Sequence, residues 1–254
     1  MALFSDRLTE LARIAERAVD VARQARQVLK VDLKGDNSIV TNADKEVETF
    51  IRKELESTWP KTGIWGEEFG RGDEGEDGLW LIDPIDGTSN FAFGSPLWGI
   101  SIALGKGSEI EMGAIALPDL NELYLVEKGH IPTCNREPLA KIPSGEILSH
   151  QLVSYNECIT NGYAGQKIPG KMRCSGAFVI DGAFTARQRF RGMLCMRERL
   201  YDVAAAVLIC QELGAEIRNA DGTPLDIPRH MQGAPFDKAW IIFPSGSGFH
   251  LTEQ

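Results

Sequence analysis

Leu79-Trp80-Leu81-Ile82-Asp83-Pro84-Ile85-Asp86-Gly87-Thr88 is the stretch on which the reading of this chain turns. Four apolar residues in a row suit a short buried strand. Two carboxylates at the mouth of such a strand are costly unless something neutralises them. Pro84 is expected to end the strand's hydrogen bonding, and Gly87 permits a tight turn into Thr88. A helix starting at Thr88 would offer free backbone N–H groups to an anion, beside the two carboxylates. Carboxylates for hard cations and amides for a phosphate are what metal-assisted phosphate hydrolysis requires. The competing reading of the same residues is a capping turn with a solvated aspartate pair.

Further acids lie outward from this stretch. Upstream, Glu67 and Glu68 follow Trp65-Gly66 in the glycine-rich, acidic stretch 66–78, which reads as a loop. Asp44 stands three residues after Thr41, the spacing of a capping hydroxyl and its acid. The helix expected there places Val47, Phe50, Ile51 and Leu55 on one face and stops near Pro60. Before it, residues 5 to 30 carry apolar side chains at helical spacing. Downstream, Trp98–Leu104, Glu111–Leu117 and Glu122–Val126 read as strands. The Gly-, Pro- and Asn-rich stretch 128–172 is the expected seam. Helices are expected over 176–187 and 202–213, the second opened by Asp202 and closed by Gly214. Lys238–Phe243 reads as a last strand. Helices, then a strand meander, then alternating elements indicate a layered mixed α/β protein.

Composition narrows the classes. The 254 residues are 43% hydrophobic and 25% charged, with 27 Lys plus Arg against 36 Asp plus Glu and a formal net charge of -9. An acidic field of this kind disfavours nucleic acid and anionic membranes as partners. No apolar run approaches the ~18 residues of a membrane span, and the first twenty residues lack the apolar core of a signal peptide. Cys134, Cys158, Cys174, Cys195 and Cys210 are an odd, scattered set, indicating free thiols in a reducing, cytoplasmic compartment. The four histidines have no ligand spacing, and Arg71-Gly72-Asp73 is read as a chance tripeptide.

Taken together, the acids form a pattern. WGEE at 65–68, LWLIDPIDGTSNF at 79–91, YDVAA at 201–205 and LKGDNSIVTNADKEVE at 33–48, with the weaker GHIPTCNREPL at 129–139, occur in order across nearly the whole chain. In these motifs the chain resembles the inositol monophosphatase family of Mg-dependent, lithium-sensitive sugar and polyol phosphatases. The resemblance implies an alternating α/β/α/β/α sandwich in a single unit, residues 1–254, often assembled as a homodimer. Residues up to about 130 would carry most metal ligands, and residues from about 140 would supply Asp202 and the substrate pocket.

The resemblance also implies roles. Glu67, Asp83 and the Ile85 carbonyl would hold one Mg ion and Asp83, Asp86 and Asp202 a second, with two or three ions in all. Thr88, oriented by Asp44, would help activate the attacking water, with Glu67 as the other candidate base. Gly87, Thr88 and Ser89 would hold the phosphate, and Asp202 would border the substrate. Lys34 falls where the family often has a lysine near the metals, and Glu68 would steer a metal-bound water.

One stretch departs from the family. From Arg173 to Asp202 the chain can be laid on the inositol-phosphate enzymes without a gap, yet Arg191 and Cys195 replace acids there, the second a Glu that grips substrate hydroxyls. Arg187, Arg189, Arg191, Arg197 and Arg199 crowd the same neighbourhood. An arginine fork suits a carboxylate or phosphate, so the expected substrate is a small phosphate ester with a second anionic group. A bisphosphorylated nucleotide or sugar is one such alternative. Histidinol phosphate, whose amine wants an acid nearby, is disfavoured. The rival for the arginines is a solvated basic face. The rival for the whole chain is a regulatory protein- or RNA-binding family member without chemistry.

Overall fold

A computed structural model describes residues 5–33, 35, 39–156, 158–159 and 168–251. Lys34 lies outside the described residues. Ser5 caps the first helix, Asp6–Arg26, by accepting the Leu8 N–H. Its buried stripe of Leu8, Leu11, Ala15, Ala18, Ala22 and Ala25 packs on the second helix, Asn42–Thr58, through Ala43, Val47, Ile51 and Leu55. The first helix stops at Arg26, short of the expected 30.

Both helices cover one face of an eight-stranded sheet. Its spatial order is 137–138, 133–134, 122–127, 109–117, 99–106, 79–86, 63–66, 70–71. Neighbours are antiparallel except Gly63–Gly66, which runs parallel to Leu79–Asp86. Alternation along the central strand sorts its side chains. Trp80 and Ile82 join the core under the two helices, whereas Leu79 and Leu81 join the core on the opposite face.

That opposite face is covered by the helices Phe178–Ala186 and Leu200–Glu212. The second buries Leu200 and every residue from Val203 to Cys210. A helix apolar all round needs cover on both sides, and a five-stranded sheet provides the other. Its order is 171–173, 152–155, 192–195, 240–244, 215–219. Val153, Tyr155, Leu194, Ile241 and Phe243 build a third core with Ile159 and Leu251. The result is the layered α/β sandwich expected from the sequence.

Two local expectations change. Pro84 does not end its strand, which continues to Asp86. Between Asp83, opposite Ser101, and Asp86, opposite Gly99, three steps on one strand answer two on the other. This is a bulge, and it lies where the missing Pro84 N–H would break the ladder anyway. Within the expected loop 66–78, Gly70–Arg71 forms a two-residue strand against Trp65 and Gly66.

Candidate active site

Parallel pairing of Gly66 with Ile82 brings the two acidic motifs to one sheet end. The Glu67 N–H continues the ladder by donating to the Ile82 carbonyl at 3.1 Å. Asp83 follows at once. On a regular strand Asp83 and Asp86, three apart, would face opposite sides, and the bulge lets both serve one site.

Each aspartate is fixed through one oxygen by a backbone donor. Asp83 Oδ1 accepts the Ile85 N–H at 3.1 Å. Asp86 Oδ2 accepts the Val179 N–H, which ties the strand to the start of the helix Phe178–Ala186. Asp202 Oδ2 accepts the Arg199 N–H at 2.7 Å, capping the helix it opens. Asp44 Oδ2 accepts both the N–H and the hydroxyl of Thr41, at 2.7 and 2.6 Å, in a capping box. The Asp44 carboxylate is therefore structural through Oδ2. Its Oδ1 faces the Thr88 hydroxyl at 3.2 Å, and that hydroxyl also lies 3.1 Å from the Ile85 carbonyl.

The electrostatics show convergence. Burial pushes the Asp83 carboxyl well up, and Glu67, Asp86, Asp202 and Asp44 each push it further. Burial lifts Asp86 to about 8, against the N–H of Val179. Asp202 rises through burial and then Glu67, and Asp44 also rises through burial. Five acids thus share one region. Among the described residues, no three His, Cys, Asp or Glu close into a ready-made metal shell. The donor set is nonetheless all oxygen, which fits a hard divalent cation. A buried like-charge cluster of this kind needs a counter-charge.

Gly87 adopts φ 84° and starts the helix Thr88–Phe93. A side chain at Gly87 would meet Ala177 Cβ at 2.8 Å and the Leu97 carbonyl at 3.0 Å. Ser89 is exposed at the start of that helix. Gly87 and Thr88 thus stand beside the acids.

Two expected pocket residues stand elsewhere. Arg191 donates to the carbonyls of Pro143 at 2.8 Å and Ser144 at 3.2 Å, so its fork pins the 143–145 segment and does not line the cavity. Cys195 is buried at the end of its strand, opposite Trp240, and is not on the cavity wall. Arg189 pairs with Glu122. Of the five arginines only Arg197 lines the cavity of about 390 Å³ that opens beside Asp86 and Asp202. Its other acids are Asp181 and Glu198.

Sequence reasoning missed three supports. Glu48 is fully buried and accepts the N–H groups of Glu68 at 2.7 Å and Phe69 at 3.3 Å, with Arg52 Nε at 2.7 Å. An acid next to Val47 on a buried helix face was the available signal. Asn90 donates to the carbonyls of Leu97 and Ser175, joining the loop before Phe178 to the helix after Gly87. Asp181 interrupts the apolar run FVIDGAF and could have been singled out on that ground.

The chain is similar to known proteins along most of its length. The family model described as "Inositol monophosphatase family" matches residues 5–236. An inositol-1-monophosphatase of Mesorhizobium japonicum is 32% identical over 208 residues, covering 77% of each chain. Among solved structures, the extragenic suppressor protein suhB of Bartonella henselae superposes with a TM-score of 0.81 at 26% identity, covering 94% of each chain. An IMPase/NADP phosphatase solved with Mg2+ and phosphate superposes at 0.74 and 21% identity, over 89% of this chain and 86% of that one, a likeness of fold alone.

Proposed function

Because the chain belongs to the inositol monophosphatase family, we propose that it is a magnesium-dependent phosphomonoesterase acting on a small phosphorylated metabolite. The observation that carries this reading is the convergence of Asp83, Asp86, Asp202 and Glu67 beside a Thr88 hydroxyl facing Asp44. Glu67, Asp83 and the Ile85 carbonyl would hold one cation, and Asp83, Asp86 and Asp202 another. Bound there, divalent cations supply Lewis acidity and lower the pKa of water.

The protein's own part follows from its hydrogen bonds. Thr88 donates inward, to Asp44 Oδ1 or to the Ile85 carbonyl, so its lone pairs are available to accept a water proton. Asp44, raised by burial, can take the hydroxyl proton in turn. The Gly87 and Thr88 amides would orient the phosphate, with Ser89 beside them. A phosphate dianion can dock this way without an arginine, consistent with Arg191 facing away. A homodimer, lithium sensitivity and a cytoplasmic location belong to the same reading. All five cysteines are free thiols, and no described helix is long and apolar enough to cross a membrane.

The test is phosphate release from a panel of inositol, sugar, amino-alcohol and bisphosphorylated nucleotide esters, with Mg, without Mg, and with Mg plus lithium. Mg-dependent, lithium-suppressed release is expected, and Asp83→Asn should abolish it. Turnover that survives Asp83→Asn would refute the assignment. Silence across the panel, with a Mg-independent RNA complex, would favour the non-enzymatic rival.

A further inference from the structure

Glu67 and Asp202 reach the acidic cluster on arms from distant parts of the chain. Glu67 stands in the turn between the strands Gly63–Gly66 and Gly70–Arg71. Asp202 opens the helix Leu200–Glu212. The two acids face each other, since Glu67 is second only to burial in raising the Asp202 carboxyl. Their separation decides whether both can serve one group of cations, and no backbone ladder joins the two arms directly.

Both arms are tied to one short segment. Arg71, which opens the tripeptide read from the sequence as chance, donates Nε to the Met231 carbonyl at 3.1 Å. Its guanidinium lies over the Trp65 ring, 5.9 Å from the centroid, and Trp65 meets Tyr201 edge-on at 5.3 Å. Arg199, whose N–H holds Asp202 Oδ2, donates Nη1 to the Gly233 carbonyl at 2.5 Å. Met231 ends the helix Ile227–Met231, and a carbonyl at a helix end has no partner within the helix. The segment is itself well seated. Asp226 caps its helix by accepting the Arg229 N–H at 3.1 Å. The buried His230 ring stacks on Phe236 at 3.8 Å and 7°. Phe236 donates its N–H to the Glu198 carbonyl at 3.0 Å and accepts that of Arg197 at 2.7 Å. Met231 packs on the large sheet, where a Cβ on Gly105 would lie 2.5 Å from Met231 Cε.

We propose that residues 227–236 are a brace that fixes the separation of Glu67 from Asp202, with Arg71 and Arg199 as positioning residues for the cation site. Each guanidinium reaches a backbone carbonyl of the same segment from its own arm, so releasing either one frees the spacing between the two acids. Neither arginine touches a cation or a substrate in this account. Both act through the acids they hold in place. The inference rests on the reading of Glu67 and Asp202 as cation ligands.

Calorimetric titration with Mg alone tests the brace, with thermal melting in chelator to confirm that each variant folds. By charge alone, taking a guanidinium away from the neighbourhood of a cation should tighten binding. Released geometry should weaken it instead, so the sign separates the two. Arg71→Met and Arg199→Met should each lose ~10-fold in Mg affinity, the low end for a residue that orients a metal ligand from behind. Because either change frees the same spacing, the double variant should fall well short of the ~100-fold product expected of independent sites. Arg71→Lys keeps a donor and should recover most of the loss. If Arg199→Met does not fold, the comparison of Arg71→Met with Arg71→Lys decides alone. Arg229→Gln breaks only the exposed pair with Asp237 and should bind Mg as the wild type does. Unchanged or tighter binding in Arg71→Met, or losses that multiply in the double variant, overturns the brace and leaves the cation reading standing. Wild-type protein that binds no Mg refutes the cation reading, and the brace falls with it.

Discussion

Replacing Glu48 with Gln should release the turn that carries Glu67. The side chain is fully buried and receives donors on both oxygens, the Glu68 N–H on Oε2 and the Phe69 N–H with Arg52 Nε on Oε1. A glutamine must turn its NH2 toward one of these donors. The less costly orientation keeps its oxygen on Arg52 and Phe69 and sets NH2 against the Glu68 N–H. An orphaned buried N–H costs ~1–3 kcal/mol, and converting a charged acceptor to a neutral one loses about 1 kcal/mol more. The expected loss is thus about 3 kcal/mol of unfolding free energy, read by urea denaturation. Relief of the donor–donor contact shifts residues 67–69, and a misplacement of ~1 Å at a reacting centre costs about 100-fold in rate. Phosphate release with Mg should fall accordingly, while Glu56→Gln, exposed on the same helix, should leave both readings unchanged. A loss within the ~0.5 kcal/mol typical of surface changes would refute the argument. So would clear destabilisation with unaltered turnover, since Glu67 would then not depend on this turn.

Gly66→Ala should reproduce both effects, because a Cβ there lies 2.0 Å from Glu48 Oε1 and 2.3 Å from its Cδ; wild-type stability would show that the carboxylate can yield. Arg191→Glu should leave the ranking of anionic and neutral esters unchanged yet cost ~1–3 kcal/mol by stripping donors from the 143–145 carbonyls; a changed ranking would return Arg191 to the pocket. Stability without metal should fall as pH rises from 5 to 8. Asp86, lifted to about 8, and Asp181, lifted to about 7, hold protons more tightly folded than unfolded, so their contribution is present at low pH and lost as pH rises through those values. Thermal melting with chelator, against melting with Mg, should show the decline and its suppression by the cation; a flat metal-free profile would refute it. Thr41→Val should weaken both the helix cap and the seat of Asp44, costing ~1–2 kcal/mol and lowering phosphate release; an unchanged rate would separate the cap from the Thr88–Asp44 contact.

What could be read from the sequence was set by local physics. The capping box at Thr41 and Asp44 is a spacing rule with one geometric outcome, and the helix formed where the rule put it. The run LWLI had to be a buried strand, and its two acids had to be reconciled with that burial. The bulge at Pro84 was not legible, because it depends on the register against Ser101 and Gly99, fifteen and seventeen residues away. The positions of Arg191 and Cys195 were not legible for a related reason. An ungapped correspondence placed Cys195 at a gripping position, but the strand buries that thiol opposite Trp240. The chain then turns through Arg197 at φ 79°, an uncommon conformation for a residue with a Cβ. That turn follows Met196, whose N–H is bound by Glu198, and it sets Glu198 in the cavity wall. Arg189 and Arg191 are bound to Glu122 and to backbone carbonyls, while Asp181, Arg197 and Glu198 line the cavity beside Asp86 and Asp202.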